Sequence, residues 1–120
     1  MVFQLSIEGL SVYMQIGVHG WEKAVKQKVL VDVNLSYLAK PGAIICYSSL
    51  KKLVIAAASE AHGHELLEDV AKDLVGCIVK DYPVVSECTV KLSKPTASCM
   101  QGGGTSVAVF WKAGSLSAPL

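Results

Sequence analysis

Val29-Leu30-Val31-Asp32-Val33-Asn34-Leu35-Ser36-Tyr37 is the stretch on which the fold turns. Side chains alternate across a strand, so Val29, Val31, Val33, Leu35 and Tyr37 share one face, opposite Leu30, Asp32, Asn34 and Ser36. A strand this regular needs partners. Upstream, Phe3, Leu5 and Ile7 alternate with Gln4, Ser6 and Glu8, and after Gly9 the apolar parity moves to Leu10, Val12, Met14 and Ile16. One strand cannot change face without an extra residue, so the spacing predicts a bulge or kink near Glu8-Gly9. Gly17 to Lys26 reads as a loop, and the two strands together form a long antiparallel hairpin.

Downstream, Pro41-Gly42 breaks the chain. Ser48 or Ser49 can cap a helix in which Leu50, Leu53, Val54, Ala57 and Ala61 recur at helical spacing. Gly63 interrupts, and a second helix from about Glu65 to Lys80 carries the stripe Leu67, Val70, Ala71, Leu74, Cys77 and Ile78. Tyr82-Pro83 ends it. A third strand places Cys88, Val90 and Leu92 on one face and closes on Lys94-Pro95. After the run Gly102-Gly103-Gly104, a last strand from Ser106 to Lys112 presents Val107, Val109 and Trp111 together. The order β-β-α-α-β-β indicates an α+β fold, a four-stranded antiparallel sheet with two helices on one face. Residues 1–113 make a single domain and 114–120 a flexible tail. Leu30 and Phe110 lie on the parity opposite the core, where self-association would bury them.

At 120 residues the chain is long enough to bury a real core. With 52% hydrophobic and only 18% charged residues, it has apolar surface to spare for subunit contacts. A net charge of +1 gives no footing for nucleic acid or an acidic membrane. No apolar run approaches a membrane span, and the N-terminus lacks a basic region followed by an apolar stretch. Cys46, Cys77, Cys88 and Cys99 are widely spaced with no Cys-x-x-Cys pair, which fits reduced thiols in a cytoplasmic protein. His19, His62 and His64 are the only histidines, and no cysteine lies near the His62/His64 pair in sequence, so the reading assigns no metal and no cofactor.

Four residues have chemistry to offer. Lys94 shares the inward parity of Cys88, Val90 and Leu92, and Pro95 holds it in an extended conformation at the strand's end. Desolvation there lowers an ammonium's pKa toward the range useful for proton transfer, although a long stem can equally pack inside and send its head to water. Glu22 sits in Gly17-Val18-His19-Gly20-Trp21-Glu22, where a loop carboxylate is usually solvated but Trp21 suggests the loop packs on something. Tyr47 precedes the first helix, where a tyrosine either packs with a wet hydroxyl or meets a ligand. Glu68 lies at the edge of the second helix's apolar stripe, in the first turn, where the helix dipole favours a carboxylate. It is either an ordinary first-turn glutamate or an acceptor of paired hydrogen bonds from a flat heterocycle.

Together, Gly-Val-His-Gly-Trp-Glu before a long strand, Tyr47 before the first helix, Leu66-Leu67-Glu68 opening the second, and Lys-Leu-Ser-Lys-Pro closing the third strand resemble the dihydroneopterin aldolases of folate biosynthesis. The resemblance runs from about Phe3 to Trp111. It implies the tunnelling fold, assembled into rings and commonly a homo-octamer of stacked tetramers, with active sites between subunits. It also implies retro-aldol cleavage of a small-molecule pterin, 7,8-dihydroneopterin, without a Schiff base or metal. By position, Glu68 would anchor the pterin's amino group and ring N–H, helped by backbone at Leu67 and at Cys46. Lys94 would take the side-chain hydroxyl proton, and Tyr47, from the neighbouring subunit, would contact the substrate and help reprotonate the intermediate. Glu22 would hold the hydroxylated tail and a water. The short segment Pro41 to Cys46 replaces the acid-rich one common in the family, and the Gly102-Gly104 run is atypical. Rival readings are an epimerase acting on dihydroneopterin triphosphate and a non-catalytic pterin-binding ring protein.

Overall fold

Alternation, helical spacing and the two Gly/Pro breaks assemble as one sheet under one helical layer. The computed structural model of the chain describes residues 1–16, 26–60, 66–95 and 103–114. In chain order the elements are β1 (Val2–Met14), β2 (Gln27–Leu38), α1 (Tyr47–Ser59), α2 (Leu67–Asp81), β3 (Val85–Lys94) and β4 (Thr105–Lys112). The strands form a single antiparallel sheet in the order β1-β2-β3-β4.

The parity of Val29–Tyr37 sets the core. Val29, Val31, Val33 and Leu35 are almost wholly buried, and they join Leu5, Ile7, Val12, Met14, Val90 and Leu92 in one cluster with Leu50 and Val54 of α1 and Val70, Leu74 and Ile78 of α2. Both helices therefore cover the same face of the sheet. On the other face Asn34, Lys91 and Phe110 are exposed. Leu30 is half-buried, whereas Phe110 is 78% exposed.

The change of face in β1 is a bulge. Ile7 pairs with Val33 and Leu10 with Val31, so Glu8 and Gly9 together oppose Asp32. Gly9 takes a left-handed φ of 64°, and its N–H donates to Asp32 Oδ1 at 2.8 Å. Glycine reaches that conformation without the steric penalty of a Cβ. A second irregularity falls at Ser86, which lies between the pairs Ser36–Glu87 and Tyr37–Val85. The Ser86 hydroxyl donates to the Ser36 carbonyl at 3.1 Å.

Several expectations shift in detail. The first helix starts at Tyr47, with Cys46 as the N-cap residue and no side-chain cap bond, so neither Ser48 nor Ser49 caps it. Its buried residues are Leu50, Val54 and Ala58; Leu50 and Val54 belong to the expected stripe, Leu53 and Ala57 pack half-buried against the core, and Ala61 lies outside the described residues. In α2 the buried place expected for Cys77 belongs to Val75, and Cys77 is half-buried. Phe3 has the parity of Leu5 and Ile7 but is 46% exposed, with its ring tilted on Tyr37 at 5.6 Å. Gly63, Glu65, the loop at 17–25 and the tail at 115–120 lie outside the described residues.

Candidate functional site

Lys94 is the last residue of β3. Cys88, Val90 and Leu92 are buried, and two positions further along the same face Lys94 is half-buried, paired across the ladder with Thr105. Pro95 is exposed and supplies no N–H, so the regular ladder stops at the lysine. The sheet thus delivers a cationic side chain to its own end on the helix-facing side.

Glu68 is the second residue of α2. Leu66, the N-cap, is extended and makes no side-chain cap bond, as an apolar residue cannot. Leu67 is buried and fixes the helix start against the core, while Glu68 is exposed. Its neighbours on the wheel, Ala71 and Val75, are buried, which places the carboxylate at the boundary its spacing suggested. A carboxylate at the amide end of a helix makes a mixed acceptor and donor edge, suited to a flat polar heterocycle.

Cys46 and Tyr47 open α1, and Tyr47 is 67% exposed. The Cys46 thiol is held below its ordinary value by the Ser49 hydroxyl first, then by the amides of Ser49 and Ser48, with desolvation opposing and Lys52 assisting. Since no closed cap bond forms, these donors act on the sulfur as oriented dipoles. Tyr47 lines a cleft of about 480 Å³ together with Phe3, Gln4, Leu5, Ser6, Ile7, Tyr37 and Lys51. The sequence reading missed this wall. Lys51 is four residues after Tyr47 and so shares its helix face, a signal available from spacing. The β1 residues reach the cleft only through packing of α1 on β1, which no local pattern encodes.

These groups do not share one end of the chain. The turn at Tyr82–Val84 reverses α2 into β3, with the Val85 N–H donating to the Tyr82 carbonyl at 3.0 Å, so the start of α2 and the end of β3 lie toward the same end of the sheet. Glu68 and Lys94 belong to that end. Tyr47 stands against Phe3–Ile7 and Tyr37, at the end where Val2 pairs with Leu38. Consistently, Tyr82 at the C-terminus of α2 has its hydroxyl pushed up by burial first and then by the negative charges of Cys46 and Asp81. The length of α1, roughly 20 Å at 1.5 Å per residue, separates Tyr47 from the Lys94 end. Glu22 lies outside the described residues. Among the described residues no three His, Cys, Asp or Glu side chains cluster in a way that could hold a metal ion.

The chain is similar to proteins of known activity. A family model described as dihydroneopterin aldolase (FolB) matches residues 5–110. The dihydroneopterin aldolase of Haemophilus influenzae is 32% identical over 98 residues, which are 76% of this chain and 81% of that one. The crystal structure of Escherichia coli dihydroneopterin aldolase in complex with neopterin shares the fold, with a TM-score of 0.79 at 23% identity over 91% of this chain and 98% of the other. A Burkholderia dihydroneopterin aldolase bound to guanine gives a TM-score of 0.72 at 22% identity, over 92% and 91% of the two chains.

Proposed function

Because the chain belongs to the dihydroneopterin aldolase family, we propose that it catalyses the retro-aldol cleavage of 7,8-dihydroneopterin, with general acid–base groups drawn from two subunits. The products are 6-hydroxymethyl-7,8-dihydropterin and glycolaldehyde, and the reaction belongs to folate biosynthesis in the cytoplasm. Proton removal from the 2′-hydroxyl of the tail lets the C1′–C2′ bond break. Its electron pair flows into the C6=N5 unit of the dihydropterin, and glycolaldehyde departs. A proton returned to C1′ restores the ring system, so no external electron acceptor is required.

The residues divide this work. Glu68 accepts two bonds from the amino group and ring N–H of the pterin, with backbone at Leu67 and at Cys46 of a neighbouring subunit framing the ring. Neopterin and guanine, held by the two solved relatives, both carry that amino-pyrimidinone edge. Lys94 takes the hydroxyl proton through a water, and Tyr47 of a neighbouring subunit helps deliver the proton to C1′. Glu22 holds the tail hydroxyls and the water.

The observation that carries the division is the placement of Tyr47 at one end of the sheet and of Glu68 and Lys94 at the other. Copies staggered along the strand direction, as strand tilt in a closed barrel requires, bring the two ends together. The sheet has two outer strands, β1 and β4. Strand pairing between them in successive copies closes tetrameric rings, and two stacked rings make the octamer. Val107, Val109 and Trp111 of β4, half-buried in one chain, are then covered.

Incubation with 7,8-dihydroneopterin and EDTA, followed by chromatography of pterins and trapping of glycolaldehyde, should show both products in equal amounts. No product overturns the assignment, and loss of activity with EDTA overturns the metal-free chemistry. Lys94→Ala should lower kcat by about 10²-fold or more, the usual worth of a general acid–base group. Borohydride added during turnover should leave the protein mass unchanged, and an adduct on Lys94 would replace proton transfer with imine chemistry.

A further inference from the structure

We infer that Gly104 is a positioning residue for Lys94, resting on the reading of Lys94 as the proton-transferring group. Five of the described glycines have space around the position of a Cβ. An atom built there on Gly9, Gly42, Gly76, Gly103 or Gly114 meets nothing within 4 Å. Gly104 differs. Its Cβ would stand 3.0 Å from the Lys94 carbonyl oxygen, 3.5 Å from the Pro95 carbonyl oxygen and 3.6 Å from Pro95 Cα. All three are backbone atoms, so no flexible side-chain end can move aside.

Conformation does not explain this glycine. Gly103 takes a left-handed φ of 82°, which accounts for its own identity, whereas Gly104 is not among the residues with positive φ. What excludes a side chain at Gly104 is the end of β3. Lys94 pairs with Thr105, and Pro95 has no N–H with which to extend the ladder. The backbone of Lys94 is therefore held laterally by the first residues of β4, and Gly104 lets that strand approach as closely as it does. The lysine's four-carbon stem departs from a Cα fixed by this contact. A side chain at 104 must push the strand end by a few tenths of an ångström and swing the ammonium by more, since the stem lengthens the lever. Alignment of a reacting group tolerates little of this, because a misplacement of about 1 Å can cost 10²-fold in rate.

The test compares Gly104→Ala, Gly103→Ala and Lys94→Ala in the assembled enzyme, reading kcat, KM, the pH profile of kcat and thermal stability. Gly104→Ala should lower kcat about tenfold, on the same reasoning scaled to a smaller displacement, with KM nearly unchanged and one limb of the pH profile moved. Gly103→Ala should lower thermal stability and leave kcat and the profile of the folded enzyme as they are. If Gly104→Ala behaves like Gly103→Ala, the inference is overturned while Lys94 keeps its role. If Lys94→Ala retains full turnover, the reading of Lys94 itself fails. Should Gly104→Ala not assemble, Thr105→Gly loosens the same strand start without adding an atom; a lowered kcat with a moved limb supports the inference, and an unchanged profile overturns it.

Discussion

Cys88 sits on the helix-facing side of β3 with 1% of its surface exposed, and burial pushes its thiol up to about 11 from an ordinary 9.0. Native protein therefore keeps the proton through a range in which the unfolded chain loses it. Stability from this group is complete below pH 9.0 and declines as pH rises toward 11. Urea unfolding at a series of alkaline pH values should show this decline, and Cys88→Ala should flatten it. At the same scale, the chemistry of single residues was only half legible in the sequence. Parity gave Lys94 its direction, and helical spacing put Glu68 at a boundary, because both follow from chain geometry over a few residues. Lys51 and the β1 side chains of the cleft were not legible, since their meeting with Tyr47 depends on how α1 crosses β1.

The elements report on burial more sharply than on boundaries. Leu50 is completely buried between helix and sheet, whereas Leu53 is half-buried. Leu50→Ala should cost about 3 kcal/mol, as large-to-small changes at buried sites do, and Leu53→Ala clearly less. Chemical denaturation of the two variants checks the order, and equal losses would place the helix wrongly on the sheet. Strand alternation made β2 and the bulge at Glu8-Gly9 readable, because a period of two leaves no other way to switch faces. Helix starts were less so. Serines at 48 and 49 have the chemistry of caps, yet the chain turns into α1 at Cys46, since the core fixes Leu50, Val54 and Ala58 first and the terminus follows. The first helix thus begins with its orphan amides directed at a sulfur.

At the scale of the molecule the chain is longer than a compact body of its size. Its radius of gyration is 15.0 Å, against about 14 Å for a typical 120-residue domain, and its extents are 50 × 30 × 24 Å. Along the β1–β2 pairing, which runs from Val2–Leu38 to Met14–Gln27, Tyr47 stands at the first end and Lys94 toward the second. Two variants, Tyr47→Ala and Lys94→Ala, should each be strongly impaired alone and regain activity when refolded together. Random mixing in equal parts restores roughly a quarter of the sites if, as proposed, each site draws on two neighbours. No recovery in mixed oligomers of confirmed composition would place both residues in a site within one subunit. A site shared between copies is expected only through the family resemblance, since the surplus of apolar residues does not say where a contact would fall. The open flank of β4 carries one more consequence. Val107, Val109 and Trp111 are half-buried in the single chain, and in the proposed ring a neighbour completes their burial, so part of each chain's folding energy would come from its neighbours and vary with their supply. For such a chain, dilution is a denaturant.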